Sequence, residues 1–486
     1  MAYKLRSYQE ECVKSISSYI NSDRNDPVLV IGPVGCGKSL LIAEAARLMG
    51  DKTLVLQPSK ELLQQNYDKL TSYGIPATIY SASCGKKELS NMIYATLGSI
   101  KKVVDKLKEM GIRNVLIDEA HAGYSPEDGS EFMTFMNELK PKKVIGFTAT
   151  PCRLKTMSIG QVSYSQLNFI TRMRPVYFKN LIHVIQVEEM IRQGFWTPLK
   201  YETWDFNGDA LKLNSNGSEY TAESISEAVR KNGLNNLILR RLMVLKDVCR
   251  SILVFMDSVE SCNTAAEWMN AKICAGMAEV VHGGTPKKQR EAIVEGFKSG
   301  GTRVVFNYSA LGTGFDHPGL DCVIVGRPTF SFSSFYQWLG RAVRIKDGKD
   351  SALIVDCCNN SSRFGDIRKL SIENYKGYGW GMFIGDKLIT NIPMGDKVTK
   401  TDLDIKAAKK DRRRGLAQGI TASPVPGRPD HPLGSTLMTF GKYCGWMLHS
   451  IPVSYFKFIN ETFDWDNDRN KDIKEYIDFL IKNNRL

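Results

Sequence analysis

The sequence has few of the features that mark secreted, membrane-spanning or zinc-binding proteins. Its eleven cysteines are scattered singly, apart from the Cys357–Cys358 pair, and no Cys-x-x-Cys spacing occurs. That distribution fits a reducing compartment and disfavours both a disulfide framework and a structural zinc site of the common spacing. No apolar run is long enough to span a bilayer, and the first residues lack the apolar core of a signal peptide. We therefore expect a cytoplasmic protein, from a bacterium or a phage-infected host.

Acidic residues are outnumbered by basic ones. Asp and Glu total 52 and Lys and Arg total 65, which gives a formal net charge of +13. A positive balance attracts polyanions such as nucleic acids, although many basic proteins bind none. The 486 residues exceed one ordinary domain, and a hydrophobic content of 43% is typical of globular proteins that bury several cores.

Two stretches of the chain alternate short apolar strands with helical patterns. This alternation is typical of an α/β fold in which helices flank a parallel sheet. We predict a first α/β domain at 1–155, a connecting or accessory segment at 156–232, a second α/β domain at 233–357, a basic extension and linker at 358–435, and a small α/β or α module at 436–486.

The segment after the first predicted strand matches the pattern Gly-x-x-x-x-Gly-Lys-[Ser/Thr] of phosphate-binding loops. Glycines let backbone N–H groups curl around phosphate oxygens, and the helix that follows adds a favourable dipole. We expect Lys38 to reach the β- and γ-phosphates and the Ser39 hydroxyl to ligate Mg²⁺. A chance match is disfavoured by the strand before the loop and the helix after it. The nucleotide-binding candidates here are Gly32, Pro33, Val34, Gly35, Cys36, Gly37, Lys38, Ser39 and Leu40.

The tetrapeptide Asp118-Glu119-Ala120-His121 ends another predicted strand. Parallel sheets bind ligands at the carboxyl ends of their strands, so a carboxylate here can meet the Mg²⁺ held by Ser39. We expect Asp118 to ligate Mg²⁺ and Glu119 to orient or deprotonate the attacking water. The alternative is an ordinary acidic loop, which the nearby phosphate-binding pattern disfavours.

These motifs and those that follow them resemble superfamily 2 helicases over about residues 3–357. The resemblance implies two tandem RecA-like domains that use ATP and Mg²⁺. It also implies that Arg6 and Gln9 of the opening segment contact adenine, since a Gln amide can pair with its N6/N7 edge. Thr148-Ala149-Thr150 resembles motif III, so His121, Thr148 and Thr150 are expected to couple hydrolysis to movement.

The second α/β stretch carries the remaining motifs of the resemblance. Gln337-Trp338-Leu339-Gly340-Arg341-Ala342-Val343-Arg344 matches motif VI, Gln-x-x-Gly-Arg-x-x-Arg, and implies catalytic roles for Gln337, Arg341 and Arg344. Guanidinium groups from a second domain stabilise the charge of a γ-phosphoryl transition state. Three residues apart on a short helix, the two arginines would share one face. The alternative is a pair of surface arginines. Motif V implies nucleotide contacts by Gly314 and Asp316.

The same resemblance implies a nucleic-acid track across both domains. Hydroxyls and backbone amides suit phosphate contacts that carry no base information. Helix capping by Ser59 and Ser99, and a structural hydrogen bond of His282, are the alternatives. The implied contacts are Pro58, Ser59, Lys60, Thr96, Ser99, Asp257, Ser258, His282, Gly283, Ser309 and Thr313.

The segments after the second domain are less informative. Phe364 stands where the resemblance leads us to expect His, and the cysteine pairs of some relatives are absent. The basic run 406–414 is either a solvated helix face or a contact with the duplex backbone. In the tail, Lys442, Tyr443 and Trp446 either bind bases and phosphate or belong to the module's own core, which we favour.

Together these features predict an ATP-dependent DNA helicase or translocase that works as a monomer on single-stranded, branched or duplex DNA. The layout resembles phage branch-migration helicases, so unwinding or branch migration in repair, recombination or replication is expected. A translocase that does not separate strands and an RNA helicase remain alternatives, because these motifs say little about the 2′-hydroxyl. A scaffold with a degenerate ATPase is disfavoured because the phosphate-binding loop (motif I), the tetrapeptide that begins at Asp118 (motif II) and motif VI are all complete.

Overall fold

The computed structural model describes residues 4–122, 124, 129–159, 162–311, 315–376, 378–407, 431–436, 438–439, 443, 447–462, 465 and 470–483. The chain divides into two compact units, one of residues 1–375 with 379–398 and the other of 376–378 with 399–486. The first unit contains both α/β domains. Among the described helices, none combines the length and apolarity needed to cross a bilayer.

The first domain is an eight-stranded sheet flanked by helices. Its central strands are short apolar runs buried along their whole length, as expected for parallel strands covered on both faces. The strand order is β10-β1-β7-β6-β2-β5-β3-β4, and the pairs are parallel except β3–β4. The strands up to residue 148 are β1 (Val28–Ile31), β2 (Thr53–Leu56), β3 (Thr78–Ser81), β4 (Lys86–Lys87), β5 (Met92–Ala95), β6 (Asn114–Ile117) and β7 (Lys143–Thr148). The helices are α1 (Ser7–Ile20), α2 (Lys38–Met49), α3 (Lys60–Thr71), α4 (Leu97–Ile100), α5 (Val104–Glu109) and α6 (Glu131–Leu139).

The connecting segment contributes to both domains. After the antiparallel hairpin of β8 (Cys152–Ile159) and β9 (Val162–Phe169), β10 (Asn180–Val184) pairs with β1 at the edge of the first sheet. Helix α7 (Val187–Arg192) and β11 (Leu199–Thr203) follow, and β11 forms the edge of the second sheet. The chain then continues through α8 (Ala222–Lys231).

The second domain is a six-stranded parallel sheet of order β11-β16-β15-β12-β14-β13. Its strands are again apolar runs, and the helices pack amphipathic faces against them. The strands are β12 (Ile252–Phe255), β13 (Ala278–His282), β14 (Val304–Tyr308), β15 (Cys322–Val325) and β16 (Ala352–Asp356). The helices are α9 (Leu234–Val248), α10 (Val259–Lys272), α11 (Lys287–Ser299), α12 (Phe332–Leu339) and α13 (Asn360–Phe364). The predicted class, two tandem RecA-like domains with helix-flanked parallel sheets, is confirmed.

A small antiparallel sheet completes the first unit. It contains β17 (Leu370–Tyr375), β18 (Gly379–Ile384) and β19 (Lys387–Leu388). The side chain of Gln186, just before α7, donates to Ile372 O and accepts from Ile372 N, so it pairs with β17 as a strand would.

The second unit has its own small apolar core beneath two helices, α14 (Val453–Thr462) and α15 (Lys471–Lys482). Tyr443 packs edge-on against Tyr455, with ring centroids 4.8 Å apart. This contact agrees with the interpretation that tail aromatics form the module's core. Lys442 and Trp446 lie outside the described residues, as do residues 408–414 of the basic run.

Candidate functional site

The loop between β1 and α2 is built as a phosphate cradle. Gly35 and Gly37 have φ of 80° and 77°, in the left-handed region that favours glycine. A Cβ on Gly37 would lie 2.6 Å from Gln9 Nε2, and one on Gly32 would lie 2.6 Å from Cys36 Sγ. The loop leads directly into α2, which begins at Lys38, so its backbone amides share the helix N-terminus.

Lys38 lies between the two predicted catalytic carboxylates. Its Nζ is 3.1 Å from Asp118 Oδ1 and also contacts Glu119 Oε1. Burial alone would lower the pKa of Lys38, but the two carboxylates outweigh burial and raise that pKa. Glu119 has a φ of 46°, a strained conformation for a residue with a side chain, which turns the chain sharply after β6. The site therefore holds one cation and two anions at the end of the cradle.

Asp118 is held by a side chain of α3 and by the backbone of the residue that follows it. Asn66 Nδ2 on α3 donates to Asp118 Oδ2 at 2.9 Å, and Glu119 N donates to Asp118 Oδ1 at 2.8 Å. These bonds leave the carboxylate little freedom, as suits an ion ligand. Asn66 was not predicted, because a polar residue within a helix gives no sequence signal of its own.

A second group of side chains at the site comes from the opening segment of the chain and from Phe195. Gln9 Oε1 accepts from Arg6 N at 3.0 Å, and Gln9 Nε2 donates to Cys36 O at 2.9 Å. The Arg6 guanidinium lies 4.5 Å from the centre of the Phe195 ring. Tyr8 packs against the same ring and donates from its hydroxyl to Cys36 O. Phe195 belongs to the connecting segment and lies outside every sequence motif, so the sequence did not predict that it would line the site.

One cavity of about 500 Å³ joins these groups to the second domain. Gly340 faces the phosphate-binding loop so closely that a Cβ there would lie 2.5 Å from Val34 Cγ2. Trp196 Nε1 also donates to Val34 O, at 2.9 Å. The structure therefore brings the two halves of the predicted site together. Predicted residues that line the cavity are Arg6, Gln9, Pro33, Val34, Gly35, Gly37, Lys38, Ser39, Leu40, Glu119, Asp316, Gln337, Arg341 and Arg344.

The two arginines reach the cavity in a different way from the one predicted. Helix α12 ends at Leu339, so the prediction that Arg341 and Arg344 share a helix face was wrong. Arg341 lies in the turn after the helix and Arg344 in the irregular segment that follows, and both donate from Nη1 to Phe315 O, at 2.6 and 3.1 Å. Arg344 also forms an ion pair with Asp316 at 2.5 Å. Burial, with a smaller contribution from Arg344, lowers the pKa of Arg341 to about 9.

Lys349 and Thr197 hold this arginine-bearing turn. Lys349 Nζ donates to Ala342 O and Arg344 O, both at 2.8 Å, and Thr197 Oγ1 donates to Arg344 O at 2.6 Å. Burial lowers the pKa of Lys349 to about 8. Neither residue falls within a motif, so the sequence did not point to them.

His121 connects the acidic segment with motif III. Its Nδ1 lies 2.8 Å from Thr148 Oγ1, and its Nε2 lies 3.1 Å from Thr150 Oγ1. Ser333 of α12 contributes a third hydroxyl, 3.2 Å from Nε2. Burial lowers the pKa of His121 to about 3, so the imidazole is neutral at pH 7. The predicted coupling residues are thus one hydrogen-bonded group, although coupling itself stays a prediction.

The predicted nucleic-acid contacts of the first domain lie after β2 and β5, which are neighbours in the sheet. Pro58, Ser59 and Lys60 follow β2, and Ser59 caps α3 by accepting from Leu62 N. Thr96 and Ser99 follow β5, where Ser99 Oγ accepts from Ala82 N at 3.0 Å. Ser59 is thus a helix cap, as the alternative interpretation expected. Ser99 is not a cap, because it lies within α4.

The candidates of the second domain also follow strands. Ser258 caps α10 after β12, and His282 ends β13 with its Nδ1 accepting from Gly284 N at 3.1 Å. Ser309 follows β14 with a φ of 54°. Asp257 and Gly283 lie beside Ser258 and His282, whereas Thr313 and Gly314 lie outside the described residues.

Within the part of the chain that the structure describes, buried polar atoms without hydrogen-bond partners occur at these strand ends. They are both amide atoms of Gln57 after β2, Oδ1 of Asp257 after β12 and Nδ2 of Asn307 in β14. Each side chain is at most 5% exposed. Buried polar groups normally have a partner, and a bound ligand can supply one. Gln57 and Asn307 were not among the predicted site residues.

Comparison with known proteins identifies both domains. Residues 2–153 match the family described as "Type III restriction enzyme, res subunit", and residues 235–346 match the "Helicase conserved C-terminal domain". The Saccharomyces cerevisiae protein "Putative ATP-dependent helicase IRC3" is 24% identical over 378 residues, which are 74% of this chain and 52% of that protein. The chain thus spans about half the length of that relative.

Two solved structures share the fold. The "ATP-dependent Type ISP restriction-modification enzyme LlaBIII bound to DNA" superposes with a TM-score of 0.55 at 16% identity, covering 86% of this chain and 30% of that one. The structure of S. cerevisiae Dbp5 bound to RNA and ADP BeF3 gives a TM-score of 0.51 at 14% identity, covering 84% and 93%. At these identities the likeness concerns the fold alone.

Proposed function

Because the chain carries the paired domains of superfamily 2 helicases and translocases, we propose that it hydrolyses ATP in the cleft between them and uses the cycle to move along DNA. The observation that carries this proposal is the single cavity whose walls are Lys38 and the phosphate-binding loop on one side and Gln337, Arg341 and Arg344 on the other. A triphosphate needs both walls, since it is bound by one and its transition state is stabilised by the other.

The residues of the cavity have separate proposed roles in binding and hydrolysing ATP. The loop amides and Lys38 bind the phosphates, and Glu119 orients the attacking water and takes its proton. Arg341 and Arg344 neutralise the charge that develops on the γ-phosphoryl oxygens. In this structure Lys38 forms ion pairs with Asp118 and Glu119. When bound phosphates replace the carboxylates as partners of Lys38, Asp118 becomes available to Mg²⁺ and Glu119 to water.

Ser39 and Asp118 suit a Mg²⁺ ion that arrives with the nucleotide. Within the described ranges, no cluster of three or more His, Cys, Asp or Glu side chains forms a metal site of its own. Mg²⁺ bound with a nucleotide needs only one or two protein oxygens, because phosphates and water complete its shell. Glu119 Oε2 lies 3.3 Å from His121 Nδ1, outside hydrogen-bond geometry, and has no hydrogen-bond partner among the described residues, which agrees with a site completed by its ligand. The ion would supply positive charge beside the β- and γ-phosphates.

DNA is the proposed track. The strand ends of both domains present hydroxyls and buried polar atoms that phosphates and sugars could satisfy, and the net charge of +13 favours a polyanion. The restriction-enzyme match of the first domain and the DNA-bound fold relative support DNA. The RNA-bound fold relative keeps RNA as the second candidate.

The proposal is tested by ATP hydrolysis with single-stranded, duplex, forked and four-way-junction DNA and with RNA of matched sequence. We expect DNA to stimulate phosphate release, and Lys38→Ala to abolish it because the phosphates lose their cation. Lys14→Ala removes an exposed lysine of α1 and is the matched control. Wild-type turnover by Lys38→Ala would refute the assignment of the site. Stimulation by RNA but by none of the DNA substrates would refute the proposal that the protein moves along DNA.

Strand separation is a further part of the proposal. Displacement of a labelled strand from forks and junctions would support a helicase that unwinds or branch-migrates DNA. DNA-stimulated hydrolysis without displacement would identify a translocase instead. Monomeric action, a cytoplasmic location and roles in repair, recombination or replication stay predictions.

A further inference from the structure

A cluster of three side chains joins the two domains behind the phosphate site. His121 Nε2 lies 3.1 Å from Thr150 Oγ1 and 3.2 Å from Ser333 Oγ, and the two hydroxyls are 3.0 Å apart. His121 and Thr150 belong to the first domain. Ser333 lies in the first turn of α12, four residues before Gln337 and outside the motif VI pattern. It therefore joins the site only when the two domains are together.

The other ring nitrogen of His121 faces the proposed general base. Nδ1 lies 2.8 Å from Thr148 Oγ1 and 3.3 Å from Glu119 Oε2. An ionised carboxylate accepts hydrogen bonds and donates none, while a neutral imidazole has one donor and one acceptor. The negative charge of Glu119, 3.3 Å away, favours the proton on Nδ1, which in this structure forms its hydrogen bond with Thr148 Oγ1. Nε2 is then the acceptor and needs a hydroxyl donor.

We propose that Ser333 is a positioning residue through which closure of the second domain sets the orientation of Glu119. The inference rests on the proposed function of the cleft. With the domains closed, the hydroxyls of Ser333 and Thr150 hold Nε2 as an acceptor, and this tautomer places the Nδ1–H beside Glu119. Glu119 is then fixed beside the attacking water. When the domains separate, Ser333 leaves and His121 keeps only partners of its own domain.

Ser333 carries this role because the other partners move with His121. Thr148 and Thr150 follow β7 and stay beside the imidazole in either state of the cleft. Among the described residues, Ser333 is the one side chain of the second domain recorded within hydrogen-bond distance of His121. Departure of Ser333 leaves Nε2 with one of its two hydroxyl partners, which weakens the hold on this buried nitrogen and links the imidazole to domain closure.

Ser333→Ala tests the inference. We expect the kcat of DNA-stimulated ATP hydrolysis to fall about threefold to tenfold, the range for one hydrogen bond. The KM for ATP and the melting temperature should stay the same, because Ser333 touches neither the nucleotide nor the core. Ser333→Thr keeps the hydroxyl and should restore the rate. Ser334→Ala is the matched control, since the Ser334 hydroxyl bonds only to Ser331 of the same turn in the described structure.

A second background separates positioning from packing. In His121→Ala, single-turnover hydrolysis should be unaffected by adding Ser333→Ala, because the group through which Ser333 acts is gone. An equal loss in both backgrounds would overturn the inference, as would wild-type kcat in Ser333→Ala. These results differ from failure of the proposed function, in which the wild-type protein itself would show no nucleic-acid-stimulated hydrolysis.

Discussion

Replacing Gly340 by alanine should prevent the cleft from closing without unfolding either domain. The added Cβ would lie 2.5 and 2.9 Å from the two Cγ atoms of Val34 and 2.6 Å from its Cβ, closer than carbon atoms approach. Gly340 has φ −61° and ψ −10°, which alanine adopts readily, so the backbone is not strained. The cost falls on the contact between motif VI and the phosphate-binding loop.

Overpacking of this kind costs about 1–3 kcal/mol, which corresponds to roughly a fivefold to 150-fold loss if the closed state is the reactive one. Measured as DNA-stimulated ATP hydrolysis, the loss should appear in kcat/KM, while the melting temperature changes little. Val34→Ala should rescue Gly340→Ala incompletely, because the Val34 Cβ remains. Val34→Gly removes all three clashing atoms and should rescue it best. Wild-type hydrolysis by Gly340→Ala would show that the catalytic state does not bring these two segments together.

Three further changes probe the cavity from other sides. The Arg344→Ala variant should bind a fluorescent ATP analogue normally but hydrolyse ATP about a thousandfold more slowly, as when other NTPases lose such an arginine. Tenfold weaker binding of the analogue with unchanged turnover would contradict this role. Hydrolysis should fall as pH rises through about 8, since Lys349, which donates to the backbone at Arg344, loses its charge above its pKa of about 8; a flat kcat to pH 10, with folding monitored by circular dichroism, would refute this. Phe195→Ala should raise the KM for ATP about tenfold by removing a stacking face beside Arg6, whereas Phe195→Tyr should leave the KM unchanged. Equal KM values for the wild type and both variants would show that Phe195 does not contribute to adenine binding.

Local motifs were predictable because neighbouring residues in the chain create them. The phosphate-binding loop needs a strand, two left-handed glycines and a helix, and all are encoded between Val28 and Met49. Strand β10 is different, since Asn180–Val184 is only partly buried at a sheet edge and shows no continuous apolar run. The helical placement of the arginines failed because a spacing of three fits helices and turns alike, and α12 ends at Leu339.

The residues that sequence reasoning missed share a physical reason. Phe195, Ser333 and Lys349 lie outside the motif patterns, and each acquires its partners only through the folding of the chain around the cleft. The contacts of Val34 with Gly340 and Trp196, and of His121 with Ser333, bring the second domain and the connecting segment to the phosphate-binding domain at the same cavity. In the proposed cycle, opening of the cleft would break the Gly340 and Ser333 contacts as the arginines withdraw. Domain closure and assembly of the proposed hydrolytic site would then be one structural event, which is the property that a motor driven by ATP requires.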